Sequence, residues 1–190
     1  MASGGASICV YCASRDGNDP ALRELARSLG AAIAACGHTL VFGGGRVGLM
    51  GAAADAALQA GGEVVGVIPS FMTDEEVAHQ GCTRLEIVSS MHERKARMVA
   101  LSDGFCVLPG GIGTLDELME TLTWRQLGIH AKPVCLLDPA GYFEGLLRFL
   151  DSAVTQGFLS RATRDALGSA ASPAQAIDLL IAQRPADTLS

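Results

Sequence analysis

His38-Thr39-Leu40-Val41-Phe42-Gly43-Gly44-Gly45-Arg46-Val47-Gly48-Leu49-Met50-Gly51 runs from an apolar segment through a glycine-rich turn into an alanine-rich one. A short apolar run bounded by glycines reads as a buried strand, and the segment from Leu49 to Ala60 reads as a helix. Strand, glycine loop and helix together form the handover of a β-α-β unit. There the free N–H groups and dipole of the helix start favour an anion. The same handover recurs downstream: Gly104-Phe105-Cys106-Val107-Leu108 leads into Pro109-Gly110-Gly111-Ile112-Gly113-Thr114. Asp116 and Glu117 follow at once, so carboxylates stand beside an expected anion site. Two such loops with acids between them point to a nucleotide site that carries out chemistry.

Outward from these loops the alternation continues along the whole chain. Strands are expected at Ser7 to Tyr11, Thr39 to Phe42, Val64 to Ile68, Arg84 to Val88, Gly104 to Leu108 and Val134 to Leu137. They are rich in Val, Ile, Leu and Phe and four to six residues long, which suits parallel strands buried on both faces. Helices are expected at Pro20 to Ala35, Leu49 to Ala60, Met91 to Ser102, Leu115 to Leu127, Tyr142 to Thr155 and Pro173 to Gln183. Pro20 suits a first helical turn, and Gly37 and Gly61-Gly62 suit helix stops. This order predicts an α/β, Rossmann-like, doubly wound and mainly parallel sheet with helices on both faces. No linker or repeat divides residues 1–190, so one domain is expected, with residues 1–6 and 184–190 flexible. In such sheets ligands lie beyond the carboxyl ends of the strands, where both glycine loops fall.

Composition narrows the partners. The chain is 49% hydrophobic and 18% charged with a net charge of −6, which fits a packed core and disfavours a nucleic-acid polymer. The first seven residues carry no basic region, and the uncharged stretch Ser28 to Gly45 is broken by Gly37-His38, so neither a signal peptide nor a membrane span is expected. The expected compartment is the cytoplasm, with six reduced cysteines. Cys9-Val10-Tyr11-Cys12 has redox spacing, yet positions three apart on a strand face opposite sides. The four histidines are scattered and none has ligand spacing with a cysteine, so no metal and no cofactor is expected.

Several readings compete at the loops. Gly43-x-Gly45-x-x-Gly48 matches the dinucleotide fingerprint, and Glu63 follows at about the right distance. But Glu63 opens its strand, whereas a ribose-binding acid belongs at the strand's other end. Neither loop ends in the Gly-Lys-Ser/Thr of a Walker motif. A turn that needs glycine for its backbone alone is the bland alternative. Thr114-x-x-Glu117 and Ser90-x-x-Glu93 both read as capping boxes, which would make either glutamate structural. Helical geometry puts Leu115, Leu118, Met119 and Leu122 on one face, and Glu117, Glu120 and Trp124 on the other. A tryptophan beside acids there suggests a ligand or a subunit interface. Met91-His92-Glu93-Arg94-Lys95-Ala96-Arg97-Met98 is either a solvated charged face or a cluster that places Arg94 near the loops.

Taken together, Gly43 to Gly51, Met91 to Met98, Pro109 to Glu117 and Thr123 to Pro133 resemble the Lonely Guy family of phosphoribohydrolases, long labelled possible lysine decarboxylases. The resemblance covers Ile8 to about Gln156. It implies cleavage of the N-glycosidic bond of a cytokinin riboside 5′-monophosphate, releasing free base and ribose 5-phosphate, without a cofactor. By the same resemblance the catalytic pair is Arg94 and Glu117. Phosphate and nucleotide contacts fall on Gly43, Gly44, Gly45, Gly48, Met50, Gly51, Gly110, Gly111, Gly113 and Thr114. Base and ribose contacts fall on Ser14, Met91, His92, Lys95 and Glu120. A homodimer is implied as well. Cys12-Ala13-Ser14-Arg15 departs from the usual Cys-Gly-Ser-Ser, so Arg15 either adds a phosphate contact or replaces a small polar group. Ile112 and Asp116 depart where an aromatic and a glutamate are common.

Three chemistries therefore remain in view: an N-glycosidase acting on N6-modified or plain adenosine monophosphate, a non-catalytic nucleotide-binding module, and a lysine decarboxylase. The last needs a Schiff-base lysine. Lys95 and Lys132 are the chain's two lysines.

Overall fold

The computed structural model describes residues 5–74 and 77–185. Its centre is a seven-stranded sheet in the order β4-β3-β2-β1-β5-β6-β7. The strands are β1 (Ser7–Tyr11), β2 (Thr39–Phe42), β3 (Val64–Pro69), β4 (Arg84–Val88), β5 (Gly104–Val107), β6 (Val134–Leu137) and β7 (Leu167–Ala170). Every neighbouring pair is parallel. The helices are α1 (Pro20–Ala35), α2 (Gly48–Gln59), α3 (Met91–Leu101), α4 (Ile112–Gln126), α5 (Glu144–Thr155), α6 (Arg161–Asp165) and α7 (Pro173–Ala182). All six expected strands form, and the sheet is doubly wound as the alternation implied.

Side chains alternate across each strand, so the sheet feeds two cores. Ile8, Val10, Leu40 and Phe42 pack on one face with residues of α1, α2 and α7. Cys9, Tyr11, Val41 and Phe105 pack on the other with residues of α3, α4 and α5. Cys12 belongs to the first core and Cys9 to the second, so the C-x-x-C thiols lie on opposite sides of the sheet. All six cysteines are free.

β7 and α6 were not foreseen, because Gly168-Ser169 lacks the bulky apolar residues that announce a strand. Gly168 is there for packing: a Cβ would lie 2.9 Å from Leu179 Cδ1 of α7. Ala6 is buried and its N–H donates to His38 Nδ1 at 3.1 Å, while Arg184 lies 3.7 Å from Asp103. Residues 1–4 and 186–190 lie outside the described residues. β3 reaches β4 with no full helix among the described residues, and none was expected there. A 3-10 turn at Ser70–Met72 begins this crossover, and Val77–His79 returns across the first glycine loop through an antiparallel bridge between Gly45 and Ala78.

Strand order sets the place of the site. From β1 the chain winds towards β2, and from β5 it winds the other way, towards β6. The loops after β1 and β5 thus diverge above a crevice at the carboxyl edge, the usual ligand position in this architecture. Among the described residues no helix is long and apolar enough to cross a membrane.

Candidate active site

A cavity of about 800 Å³ opens over that crevice. Its walls are the β1–α1 loop, the first glycine loop, the start of α3 and the second glycine loop, with Tyr142 entering from beyond β6. The volume is within the ordinary range for a small-molecule site, about 300–1,000 Å³.

Its floor carries a buried ion pair. Ser90 caps α3 by accepting the Glu93 N–H at 3.1 Å, and the helix then turns Arg94 inward. Glu93 does not complete the expected box; its Oε2 takes the Ser89 N–H and hydroxyl instead, at 2.7 and 2.6 Å. Arg94 donates from Nε to the Val67 carbonyl at 3.1 Å, from Nη2 to the Gly43 carbonyl at 3.0 Å, and from Nη1 to Glu117 Oε1 at 3.1 Å. Two of the five guanidinium N–H groups remain for a ligand. Gly43 is required for this arrangement, since a Cβ there would fall 1.7 Å from Arg94 Nη2. A solvated face is therefore the wrong description of Arg94 and Lys95, which are 6% and 8% exposed, and the right one for Arg97, which pairs with Glu86 at the surface.

Glu117 corrects two sequence expectations. α4 begins at Ile112 with Gly111 as its N-cap and no side-chain cap, so Thr114 and Glu117 form no capping box. And Glu117 is on the inward face with Thr114, Leu118, Thr121 and Leu122, not on the opposite one. Trp124 is likewise not an exposed stripe; it is partly buried and packs against the second core. Burial pushes the Glu117 carboxyl up to about 7, against the pull of the Arg94 guanidinium. Oε1 is taken by Arg94, and Oε2 receives no donor among the described residues.

Without a cap, the amides of Ile112, Gly113 and Thr114 have no partner among the described residues, and all three residues line the cavity. Gly110 makes the turn possible: a Cβ there would meet Thr114 Oγ1 at 2.1 Å. The Gly110 carbonyl accepts the Tyr142 hydroxyl at 2.8 Å. Tyr142 was missed by the sequence reading, although Gly141 after β6 marks a turn at the same carboxyl edge.

Of the residues expected at the site, Ser14, Gly43, Gly45, Met50, Met91, Arg94, Gly110, Gly111, Gly113, Thr114 and Glu117 line the cavity. Gly44, Gly48 and Gly51 shape the first loop without lining it; Gly44 and Gly48 have φ of 75° and 65°. His92 is exposed and outside the cavity. Lys95 does not line it; it bridges Asp116, which does, at 2.9 Å and Glu120 at 2.7 Å, tying α3 to α4. The other lysine, Lys132, donates to the Val99 carbonyl at 2.7 Å. Neither lysine lines the cavity, so no amine stands ready there for a Schiff base.

Residues 50–180 match the model of a family described as possible lysine decarboxylase. A cytokinin riboside 5′-monophosphate phosphoribohydrolase of Rhodococcoides fascians is 48% identical over 83% of this chain and 80% of its own. A protein of the same description from Arabidopsis thaliana is 43% identical over 91% of this chain and 81% of its own. Among solved structures, a molybdenum cofactor binding protein from Rippkaea orientalis superposes with a TM-score of 0.70 at 23% identity, covering 95% of this chain and 98% of that one. That last likeness is one of fold. With two thirds of its length inside the family model and relatives above 40% identity across most of it, the chain belongs to the Lonely Guy family, the one described as possible lysine decarboxylase.

Proposed function

We propose that the protein is a phosphoribohydrolase that splits the N-glycosidic bond of an N6-modified adenosine 5′-monophosphate. Water adds its hydroxyl to C1′ and its proton to the departing base, giving free base and ribose 5-phosphate. The observation that carries this reading is the buried Arg94–Glu117 pair beside the uncapped start of α4. A binding module needs the helix start but not a desolvated carboxylate with a free oxygen. In this reading the amides of Ile112, Gly113 and Thr114 take the 5′-phosphate, and that remote binding holds C1′ over Glu117. Glu117 Oε2 stabilises the oxocarbenium-like centre and orients the attacking water. Arg94 acts as a fixed charge that polarises the leaving base; its high pKa makes it a poor proton donor.

The apolar side chains of Val47, Met72, Val77, Met91 and Ile112 around the cavity support a base with an apolar N6 substituent. Comparing catalytic efficiency on AMP and its N6-isopentenyl analogue tests this; a clear preference for AMP would make the protein an AMP nucleosidase. Glu117→Gln is expected to lower turnover by a factor of about 10² or more, the size found when one transition-state group is lost, while nucleotide binding persists. Near-normal release of free base by that variant would sink the assignment.

The second reading is a non-catalytic carrier. It is favoured by the superposition on a molybdenum cofactor binding protein, since the fold by itself does not select catalysis. Adenine appearing by chromatography after incubation with AMP separates the two. We also propose a homodimer formed through the apolar end of α4, where Leu127 and Ile129 are 66% and 63% exposed. The free thiols fit a reducing compartment, and we place the protein in the cytoplasm.

A further inference from the structure

Both glycine loops were expected to present a helix start to the nucleotide; α4 keeps the amides of Ile112, Gly113 and Thr114 unpartnered among the described residues, whereas α2 gives one of its own to the neighbouring loop. The start of α2 is covered by the β1–α1 loop. The Met50 N–H donates to the Ala13 carbonyl at 3.3 Å. Gly48 lies so close beneath the loop that a Cβ there would be 2.3 Å from both the Ser14 carbonyl carbon and the Arg15 nitrogen. One of α2's terminal donors is thus spent on the chain itself, while the Gly48 and Leu49 N–H groups have no partner among the described residues.

The covering loop brings a charge of its own. Arg15 is exposed and lines the cavity, and it has no hydrogen-bond or ion-pair partner among the described residues. The loop's acids are already engaged. Asp16 pairs with Arg23 at 2.5 Å, and Asp19 caps α1 by accepting the Ala21 N–H at 2.9 Å. The other cation in the cavity, Arg94, is locked to Glu117 and two carbonyls. β1 and β5 are adjacent, with Tyr11 in register with Val107. The loop that bears Arg15 and the loop that opens α4 therefore form the two sides of one crevice.

We propose that Arg15 grips the 5′-phosphate, holding it between a guanidinium on one side and the α4 amides on the other. This rests on the nucleotide-hydrolase reading above and adds a residue specific to this chain's version of the site. A guanidinium on a phosphate forms paired, charge-assisted hydrogen bonds that a small polar side chain cannot. Arg15 then separates nucleotide from nucleoside, adding a full charge where the β1–α1 loop crowds the start of α2.

The test uses ribose 5-phosphate, which contains no glycosidic bond to a base, together with phosphate-free adenosine. Calorimetry on the full chain should show Arg15→Ser binding ribose 5-phosphate about tenfold more weakly, about the worth of one charge-assisted contact. Arg15→Lys should recover part of that loss, and adenosine affinity should stay within twofold. KM for AMP should rise by a factor similar to the loss in ribose 5-phosphate affinity. Affinity for ribose 5-phosphate within twofold of wild type in Arg15→Ser, or an equal loss for adenosine, overturns the proposal. So does failure of the wild-type chain to bind ribose 5-phosphate. If the wild type binds ribose 5-phosphate but cleaves no nucleotide, the hydrolase reading fails while Arg15 is still judged on affinity.

Discussion

A carboxylate that is 5% exposed and shares one of its oxygens with a guanidinium is poised rather than settled. Burial favours its protonated form and Arg94 favours its ionised form; burial wins, and the carboxyl rises from 4.5 to about 7. The native state therefore binds more protons than the unfolded chain between those two values, and stability contributed by Glu117 falls as pH rises through that window. Glu117→Gln cannot titrate. Its stability should overtake or approach that of the wild type as pH rises from 4.5 to 7, by roughly 3 kcal/mol, each tenfold change in proton affinity being worth about 1.4 kcal/mol. Denaturant melts of both proteins across that range check this, and a pH-independent difference would mean that the carboxyl titrates normally. Activity runs the other way, because ionised Glu117 is the working form, so turnover should climb over the same range. Site stability and catalysis are thus opposed at one residue. None of this was legible from Thr114-x-x-Glu117 alone, which has the spacing of a cap. The box fails because α4 begins earlier, and the same early start frees the amides and turns Glu117 inward.

At the scale of elements, the expected helices and strands formed within a few residues of their predicted ends because most of the strands are apolar runs closed by glycine, proline or a cap. β7 escaped notice for the opposite reason: Leu167–Ala170 is held by its neighbours β6 and α7, not by its own composition. Close approach between elements also leaves little trace in a sequence. Gly30 in the middle of α1 reads as a weak point, since alanine is about 1 kcal/mol better in a helix interior. The structure gives it a purpose. A Cβ at Gly30 would lie 2.0 Å from the Ala53 carbonyl oxygen and 2.8 Å from its carbon, both backbone of α2. Gly30→Ala must push the two helices apart, and overpacking of this kind costs about 1–3 kcal/mol. The expected result is a net loss of stability despite the gain in propensity, read as a drop of several degrees in Tm. An unchanged or higher Tm would show that α1 and α2 separate freely. Since α2 begins at the first glycine loop, the same variant should also weaken nucleotide binding.

For the whole molecule, the strongest clue to assembly is where α4 stops. The Gly128 N–H bonds the Arg125 carbonyl at 3.0 Å and the Ile129 N–H bonds the Trp124 carbonyl at 2.9 Å, with Gly128 at φ 74°. These are the paired bonds of a Schellman stop. Such a stop needs the glycine. It does not call for Leu127 and Ile129 to stand 66% and 63% exposed on either side. Large apolar side chains clustered at a surface are typical of subunit contacts. A homodimer across this end of α4 would cover them, and isologous pairing would bring each residue near its own counterpart or its neighbour's. The interface would then buttress α4, the helix that carries both the phosphate amides and Glu117. Light scattering should report a dimer for the wild type. Leu127→Glu combined with Ile129→Glu should yield a monomer with unchanged helix content and a lower activity per chain, because desolvating paired carboxylates costs more than the contact returns. A double variant that remains dimeric would move the interface elsewhere, and a wild-type monomer would leave the active site to stand on the single chain.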